Sequence, residues 1–468
     1  MAQFFGREKE LRTLEARFER DRFEFCVMYG RRRTGKTTLL NHFRRGRKHL
    51  YIVCQTGGMQ VNLANINAAF CAAFPEIGRA SFASIRDALE MLFERSCREK
   101  LLLIIDEFPY LGGIDASITS VLQNLIDKYK DDAKMFLILC GSSMSYMTDK
   151  VLAYKSPLYG RRTCQIEVKP FGFFDSCRFL KSFSDEEKLA LYGAVGGTPM
   201  YLQEILPALS FEENMKQLFL DSSSLFYEEP LNLLNQENKS AALCLAALNA
   251  MAEGASRFNE IKNAAQFDPS TASSVMAALI GLHLARRETP FDDPNGKKTI
   301  YSISDNFFRF WFRFVSPQKS NIEGGSMTES LYRMVLEHLP EYLGPVFEDV
   351  CREYLRRRAA AGTLPAMFTS FGRWWGADKL LRKQAEIDIV GTSPNDVMLF
   401  AECKWRNAPI DAVTLKRLHE LSKQFAYDRR HLMLFSKSGF TDDCRLLAER
   451  IGGVELVAFA DIMREAAP

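Results

Sequence analysis

Three features that would assign a chain to a class at once are missing from this sequence. Net charge is nearly absent, because 61 lysines and arginines stand against 58 acidic residues, which leaves +3. The chain as a whole is therefore no polyelectrolyte, and any nucleic-acid site must be local. Paired cysteines are also missing: the eleven cysteines occur singly, with no Cys-x-x-Cys pair and no Cys/His cluster at zinc-ligand spacing. This pattern favours reduced thiols.

Long apolar runs are the third missing feature. The most apolar stretches, such as Leu101 to Ile105, are far shorter than the roughly 20 residues that span a bilayer. The first residues, Met1-Ala2-Gln3, lack the apolar core of a signal peptide. We therefore expect no transmembrane segment, no membrane partner and a cytoplasmic location.

Ordinary globular composition is what the sequence does have. Of its 468 residues, 47% are hydrophobic and 25% are charged, which predicts two to four folded domains. Short basic clusters occur at Arg31-Arg32-Arg33, from Arg44 to Lys48, and at Arg356-Arg357-Arg358. Most charge runs are simply solvated faces, and we favour that interpretation for these clusters.

A strand, loop and helix near the start of the chain predict a nucleotide site. The apolar run Phe23 to Tyr29 leads into a glycine-containing loop and then into a helix-like segment. Backbone N–H groups of such a loop cradle phosphates, and the following helix N-terminus favours negative charge. Lys36 would bridge the β- and γ-phosphates and Thr37 would bind magnesium. The predicted nucleotide-binding residues here are Gly30, Arg31, Arg32, Arg33, Thr34, Gly35, Lys36, Thr37 and Thr38.

A second signal follows about 70 residues later. Leu101 to Ile105 has the pattern of a buried parallel strand and ends in Asp106-Glu107. At that position Asp106 would hold the magnesium shell and contact the nucleotide site, while Glu107 would polarise the attacking water. The two motifs together predict ATP as the cofactor with Mg²⁺, and ATP hydrolysis as the reaction.

Two further segments leave alternatives open. Lys134 to Cys140 predicts another central strand, and the following Gly141-Ser142-Ser143 would contact the γ-phosphate, position water, or form a plain turn. Arg161-Arg162 would supply positive charge to the transition state as an arginine finger, within one chain or in trans, or would be a surface pair.

Several motifs together resemble a known family. The opening box Phe5-Gly6-Arg7-Glu8-x-Glu10-Leu11 resembles that of AAA-related and STAND-type ATPases, in which it packs near the adenine. With the arginine-rich loop, the Ile-Ile-Asp-Glu-Phe run, the Gly-Ser-Ser turn and Gly196-Gly197-Thr198-Pro199-x-Tyr201-Leu202, about the first 210 residues resemble the archaeal-type P-loop ATPase family. The resemblance implies that the Gly-Gly-Thr-Pro segment begins a helical lid that reports the nucleotide state.

The middle of the chain predicts a winged helix. Helices at Ser240 to Glu253, Phe258 to Ala265 and Pro269 to Leu282 precede strands at Ala285 to Thr289 and Thr299 to Ile303. Asp268 would cap the third helix, and Asp292-Asp293-Pro294-Asn295-Gly296 would form the wing turn. The third helix exposes serines and Thr271, so DNA binding and a purely intramolecular coupling role have about equal support. Arg286, Arg287, Lys297 and Lys298 favour DNA.

An aromatic segment, Tyr301 to Phe314, predicts a buried helix-like connector. It resembles the joint that leads, in the same ATPase family, to a C-terminal domain of the DUF234 type. That domain is predicted to contain a helix at Leu343 to Arg358, strands near Gln384 to Val390 and Val397 to Lys404, a helix at Ala412 to Ala426, and strands at His431 to Phe435 and Val454 to Phe459.

The C-terminal segment also contains a candidate catalytic set. Asp388 lies in one predicted strand, and Glu402 and Lys404, two positions apart, share a face of the next. Two acids could hold a magnesium ion while the lysine steadies the developing charge of phosphodiester cleavage. The pattern resembles the Asp, Glu-x-Lys signature of restriction-endonuclease-like domains, and Glu348 matches their acidic helix residue. An exposed ion pair is the alternative for Glu402 and Lys404.

We therefore predict an α/β protein: a P-loop parallel-sheet domain at 1–168, a helical lid at 169–235, a winged helix at 236–304, an aromatic connector at 305–340 and a restriction-endonuclease-like domain at 341–468. The favoured function is a Mg²⁺-dependent ATPase that couples nucleotide state to DNA binding and cleavage. The alternatives are a C-terminal domain that binds DNA without cutting, and a STAND-like switch that acts through protein partners or self-association.

Overall fold

A computed structural model describes residues 4–77, 81–237, 240–293, 295–379, 382–394, 396–427 and 429–466. Met1-Ala2-Gln3 and Pro294 of the predicted wing turn lie outside these ranges. Within them, no helix is both long and apolar enough to cross a membrane. The chain divides into two compact units, Met1–Pro170 and Phe171–Pro468.

The first unit is built on a parallel sheet of five strands in the order β2-β3-β4-β1-β5. The three central strands are buried along their whole length, which explains their continuous apolar runs. The carboxyl ends of parallel strands share one edge, so the loops after β1, β3 and β4 lie together there. The strands are β1 Glu24–Tyr29, β2 His49–Val53, β3 Leu101–Asp106, β4 Met135–Gly141 and β5 Cys164–Glu167.

Helices cover this sheet and bury apolar side chains against it. Leu39, Leu40 and Phe43 pack with Leu14 and strand residues such as Met28 in one core cluster. The helices are α1 Glu8–Phe18, α2 Lys36–Phe43, α3 Met59–Ala73, the 3-10 helix Pro75–Ile77, α4 Ile85–Ser96, α5 Phe108–Ile114, α6 Ile118–Tyr129, α7 Met144–Tyr146 and the π-helix Met147–Leu152.

The second unit begins with short helices in the predicted lid region. Gly197 allows close backbone approach here, since a Cβ atom on it would lie 1.8 Å from the carbonyl oxygen of Phe171. Pro199 then occupies the first turn of a helix, where its missing N–H costs nothing. The helices are α8 Phe173–Ser176, α9 Asp185–Val195, α10 Pro199–Gln203, α11 Phe211–Phe219 and α12 Leu225–Glu237.

Three helices and an antiparallel two-stranded ribbon follow, in the order predicted for the middle segment. Asp268 caps the third helix by accepting hydrogen bonds from the backbone N–H groups of Ser270 and Thr271. The elements are α13 Ala241–Ala252, α14 Phe258–Ala264, α15 Pro269–Gly281, β6 Ala285–Glu288 and β7 Ile300–Ile303.

The aromatic connector is buried. Phe307 packs against Tyr201 and Phe226 of the preceding helices, with ring centroids 4.8 and 5.1 Å apart. The connector contains α16 Asn306–Phe310, the π-helix Trp311–Val315, the 3-10 helix Ser316–Gln318 and α17 Lys319–Glu323. Its aromatic side chains therefore serve as core for the second unit.

One long helix, α18, spans Thr328–Ala361 and corrects the prediction of a helix limited to Leu343 to Arg358. Pro340 and Pro345 lie inside it, although proline usually kinks or breaks a helix interior. The apolar face formed by residues such as Leu331, Val335 and Leu339 continues through both prolines and keeps the helix unbroken. The predicted boundary between 340 and 341 falls within this helix.

The C-terminal part is a mixed sheet of five strands in the order β12-β11-β10-β9-β8. Strands β8, β9 and β10 run antiparallel to their neighbours in that set, while β10, β11 and β12 are parallel. The elements are β8 Ser370–Ala377, β9 Gln384–Thr392, β10 Val397–Lys404, α19 Ala412–Ser422, β11 Arg429–Ser436, α20 Asp442–Ile451, β12 Val454–Ala458 and α21 Phe459–Ala466.

Two predicted boundaries here were wrong. Helix α19 ends at Ser422 instead of Ala426, because the chain turns so that Phe425 packs into the core beside Trp374 and Phe400. Phe459 begins α21 instead of ending β12, since the Asp461 carboxylate accepts a hydrogen bond from the backbone N–H of Ala458 at the helix start.

Candidate functional site

The loop after β1 has the backbone geometry that close approach to phosphates requires. Gly30 has φ +155°, and a Cβ atom on it would lie 2.4 Å from the carbonyl oxygen of Val168. Arg33 and Gly35 also have positive φ, at 68° and 86°. Helix α2 then begins at Lys36. The loop therefore turns tightly and places a helix N-terminus behind it.

Lys36 lies buried against this loop. Its Nζ atom donates to the carbonyl oxygens of Gly30 and Arg31, at 2.7 and 2.9 Å. The Thr34 hydroxyl donates to the same Arg31 carbonyl at 2.8 Å. The lysine ammonium is thus held at the loop in which phosphates are predicted to bind.

Asp106 lies next to Thr37, as the sequence predicts for a shared magnesium site. The Thr37 hydroxyl donates to Asp106 Oδ2 at 3.2 Å. The hydroxyl of Tyr51, on the neighbouring strand β2, donates to the same oxygen. Burial and the Asp106 charge raise the pKa of Tyr51, so it remains a hydrogen-bond donor. Sequence reasoning missed Tyr51; its strand places it opposite Ile104.

Glu107 has a left-handed backbone, with φ +53°, directly after β3. Its carboxylate oxygen Oε2 accepts hydrogen bonds from the hydroxyl and the backbone N–H of Ser142, at 2.7 and 3.3 Å. The Gly-Ser-Ser turn after β4 is thus joined to the candidate catalytic base. Both groups lie at the carboxyl edge of the sheet, where the phosphate loop also lies.

Arg7 of the opening box reaches the same edge. It is 6% exposed, and its Nη2 atom donates to the carbonyl oxygens of Thr34 at 2.9 Å and Lys169 at 2.7 Å. One guanidinium therefore ties the phosphate loop to the segment after β5. Arg32 of the loop donates to the Tyr110 hydroxyl at 2.7 Å.

Arg161 and Arg162 lie elsewhere on this unit. They precede β5 and so belong to the amino edge of the parallel sheet, opposite the phosphate loop. Arg161 forms a two-pronged ion pair with Asp127, with contacts of 2.6 and 2.9 Å. The possibility that this pair contacts phosphate within its own domain is therefore wrong, because parallel topology separates the two edges.

The C-terminal sheet brings the predicted Asp, Glu-x-Lys set together. Asp388 on β9 is 3% exposed, and its Oδ2 atom accepts a hydrogen bond from the backbone N–H of Cys403 at 2.8 Å. Lys404 Nζ lies 2.5 Å from Glu402 Oε1 and 4.0 Å from Asp388 Oδ2. One lysine thus contacts two carboxylates from adjacent strands.

Glu348, on α18, belongs to the same charged cluster. Burial and the nearby Asp388 charge raise the pKa of Glu348 to about 8. Burial and Asp388 also raise the pKa of Glu402 to about 7. Burial is again the main cause of the raised pKa of Asp388, which the charge of Lys404 opposes. A bound cation would relieve this crowding of acids.

Three arginines that sequence reasoning did not assign to this site surround it. Arg352 donates to Asp349 at 2.7 Å and to the Asp388 carbonyl oxygen at 3.4 Å. Arg373 forms an ion pair with Glu386 at 2.8 Å. Arg286, from the ribbon, pairs with Asp349 at 2.7 Å. Arg373 lies on strand β8, which the sequence did not predict, so nothing in the sequence pointed to Arg373 as part of this site.

The ribbon is packed on the C-terminal domain. The rings of Phe291 and Phe425 lie 5.2 Å apart, and the Trp375 indole N–H donates to the Lys298 carbonyl oxygen at 3.1 Å. Together with the pairing of Arg286 and Asp349, these contacts hold the predicted wing against the sheet that carries the acids.

Magnesium could be held by the residues present. In the described ranges, no group of three or more His, Cys, Asp or Glu side chains is arranged to hold a metal ion. A hydroxyl and one carboxylate, as at Thr37 and Asp106, suit Mg²⁺, which usually keeps several waters and binds substrate phosphates as well. The paired carboxylates of Asp388 and Glu402, with Glu348 nearby, are also oxygen ligands of the kind Mg²⁺ prefers.

Comparisons with known proteins agree with the architecture. Residues 4–205 match the family described as "ATPase domain predominantly from Archaea". Residues 311–419 match DUF234, described as archaeal and bacterial proteins of unknown function. A relative from Methanocaldococcus jannaschii, uncharacterized protein MJECL04, is 34% identical over 407 residues, which is 86% of this chain and 88% of that protein.

A solved structure shares the fold. The Walker-type ATPase paby2304 of Pyrococcus abyssi aligns with a TM-score of 0.51 and 21% identity, over 66% of this chain and 96% of that one. The fold and the phosphate loop define a P-loop ATPase that binds ATP. More narrowly, the chain belongs to the archaeal-type ATPase family with a C-terminal DUF234 domain.

Proposed function

We propose that this ATPase depends on Mg²⁺ and couples its nucleotide state to DNA binding and cleavage by the C-terminal domain. One observation carries the second half of the proposal. Lys404 lies within 2.5 Å of Glu402 and 4.0 Å of Asp388, on two adjacent strands of a separate sheet. Charges in such an apolar strand are costly unless they are paired or used, and this set suits phosphodiester chemistry.

ATP hydrolysis follows from the first unit. Lys36 would contact the β- and γ-phosphates, while Thr37 and Asp106 would hold magnesium, which neutralises phosphate charge. Glu107 would accept a proton from the attacking water. Ser142 supports that role, because it holds one carboxylate oxygen and fixes the direction of the other.

DNA cleavage would use the second site. Asp388 and Glu402, with Glu348 nearby, would bind the ion that polarises the scissile phosphate, and Lys404 would stabilise the charge that develops there. Lys404 is held at both carboxylates, so the same side chain would steady their geometry. The set is assembled from α18, β9 and β10, and α18 also contacts the ribbon through the ion pair of Asp349 with Arg286.

A second candidate function is a STAND-like switch that acts through protein partners, and the packed ribbon favours it. Arg286, which would favour DNA on a free wing, is paired with Asp349, and Trp375 holds the wing backbone at Lys298. A wing held in this way would transmit movement between domains without contacting DNA itself.

The decisive experiment measures Mg²⁺-dependent ATP hydrolysis by wild type and Glu107→Gln, each with and without single- and double-stranded DNA. DNA stimulation that disappears in Glu107→Gln supports the coupled enzyme. Tight nucleotide binding with slow turnover indifferent to DNA would favour the protein-partner switch. Cleavage is then tested with Asp388→Asn and Lys36→Ala; DNA binding and cleavage that ignore Lys36→Ala under every nucleotide condition would contradict coupling.

A further inference from the structure

The helix α18 presents a column of charged residues toward the C-terminal acids. Glu348, Arg352 and Arg356 recur every four residues and so share one face of the helix. The Arg352 guanidinium contacts the Asp388 carbonyl oxygen, which shows that this face points toward β9. The column therefore continues outward from the candidate catalytic set.

Two guanidinium groups at this site each have one N–H donor without an acceptor among the described residues. In the described part of the chain, the Nε atoms of Arg352 and Arg373 are buried and have no hydrogen-bond partner. Arg352 is only 6% exposed. A buried donor without an acceptor is destabilising, so an incoming acceptor would gain that interaction.

Arg356 extends the cationic face into solvent. Its side chain is exposed, and among the residues that the structure describes it makes no hydrogen bond or close ion pair, although the charges of Asp349 and Glu353 lie near it. Arg352 lies one turn away on the same helix face, so two like charges are neighbours. Such a pair favours an anionic ligand.

We propose that Arg352, Arg356 and Arg373 form a phosphate-binding face that takes the backbone of a nucleic acid beside the carboxylates of the C-terminal site. This inference rests on the proposed DNA function and deepens it. Guanidinium groups suit phosphate because several N–H donors lie in one plane. Arg356 stands eight residues beyond Glu348, about 12 Å along the helix, so it contacts a different phosphate from the one at the acids. A backbone with several phosphates fits this spacing better than one free anion.

The test is a salt titration of DNA binding, measured by fluorescence anisotropy with a labelled duplex and EDTA to prevent cleavage. Arg356→Gln is compared with Arg357→Gln, an exposed neighbour whose guanidinium lies over the Phe174 ring. We expect Arg356→Gln to weaken binding several-fold and to reduce the slope of log K against log salt by about 0.9, the loss of one phosphate contact. Arg357→Gln should match wild type.

Further arms separate the possible outcomes. Arg373→Gln, on a different element, should also weaken binding, which excludes a defect of α18 alone. Inorganic phosphate at matched ionic strength should compete poorly with an unlabelled oligonucleotide; equal competition would indicate a site for free phosphate and overturn the proposal. If wild type binds DNA, and Arg356→Gln and Arg373→Gln bind it as tightly as wild type, the phosphate-binding face is wrong while the DNA function survives. If wild type binds no DNA either with EDTA or with Mg²⁺ and ATP present, both the phosphate-binding face and the proposed DNA function fail.

Discussion

The two sheets hold acidic side chains in different surroundings. Asp106 and Glu107 accept hydrogen bonds from neutral donors: the hydroxyls of Thr37, Tyr51 and Ser142. Asp388 and Glu402 instead lie beside each other and beside Lys404, with burial raising the pKa of both acids. The first arrangement orients two carboxylates for a charged ligand, the nucleotide with its proposed magnesium ion. In the second, the charges of the protein's own side chains already interact strongly with one another.

This contrast teaches how each site depends on the fold. The phosphate loop takes its shape from consecutive residues and from close contact with one strand, at Gly30 and Val168. The C-terminal set needs α18, β9 and β10 to meet before any chemistry is possible. Substitutions at the phosphate loop should therefore strongly reduce ATP hydrolysis. Substitutions at the C-terminal acids should mainly change how stability depends on pH.

The largest expected effect tests the first half of the comparison. Lys36→Ala removes the ammonium that lies on the phosphate loop, and we expect ATP hydrolysis to fall by roughly 100-fold or more, as when a preorganised donor to a charged transition state is lost. Steady-state phosphate release measures it. Lys130→Ala, an exposed lysine after α6, serves as the control. A loss of only a few-fold would mean that charge at this loop is supplied by other residues, such as its arginines.

A backbone change should be nearly as damaging. Gly30→Ala places a Cβ atom 2.4 Å from the Val168 carbonyl oxygen at a φ of +155°, so the loop or the segment after β5 must move. We expect a loss of about 2 kcal/mol in the free energy of unfolding, within the range for strained backbone. Urea unfolding measures this.

Gly113→Ala is the matched control for Gly30→Ala, since a Cβ atom there meets nothing within 4 Å. Equal stability of the two variants would show that the loop tolerates movement and is less preorganised than the first half of the comparison requires.

The smallest effect concerns charge balance in the C-terminal site. Because the pKa of Glu402 is raised to about 7, the folded protein retains a proton that the unfolded chain releases near its usual pKa of 4.5. Stability should therefore fall as pH rises from about 4.5 to 7. At about 1.4 kcal/mol per pKa unit the full shift corresponds to about 3.5 kcal/mol. Because Asp388 and Lys404 share this charge balance and readjust when Glu402 is lost, we expect Glu402→Gln to remove about 1 to 2 kcal/mol of that fall.

The measurement is urea unfolding at pH 5 and pH 8 with a metal chelator present. Glu449→Gln, an exposed acid on α20, is the control and should leave the difference between the two pH values unchanged. If Glu402→Gln keeps the full wild-type pH dependence of stability, a group other than Glu402 causes it.

The sequence predicted the parallel sheet and its phosphate loop well because their signals are local. A buried strand reads as a continuous apolar run, and Gly30 to Thr37 follow one such strand directly. The same locality allowed Asp388, Glu402 and Lys404 to be chosen by strand alternation, and the structure brings them together. Tyr51, Arg352 and Arg373 were missed, since each reaches its site from an element whose position only the tertiary fold defines.

The predicted helix boundaries were wrong where side-chain packing outweighed the local conformational preference of the residues. Proline is unfavourable inside a helix, yet the apolar face from Leu331 onward keeps α18 continuous through Pro345. In the same way, Phe425 leaves the expected helix because a core position beside Trp374 is available to it.

The length of α18 has a practical consequence for dividing the protein into fragments. Its 34 residues extend about 50 Å as one rigid rod. Cutting the chain at 340, the predicted domain border, would remove residues 328–340 from the start of this helix and leave a shortened helix with a new end near the acids. A C-terminal fragment meant to fold and to be assayed alone should therefore begin before Thr328.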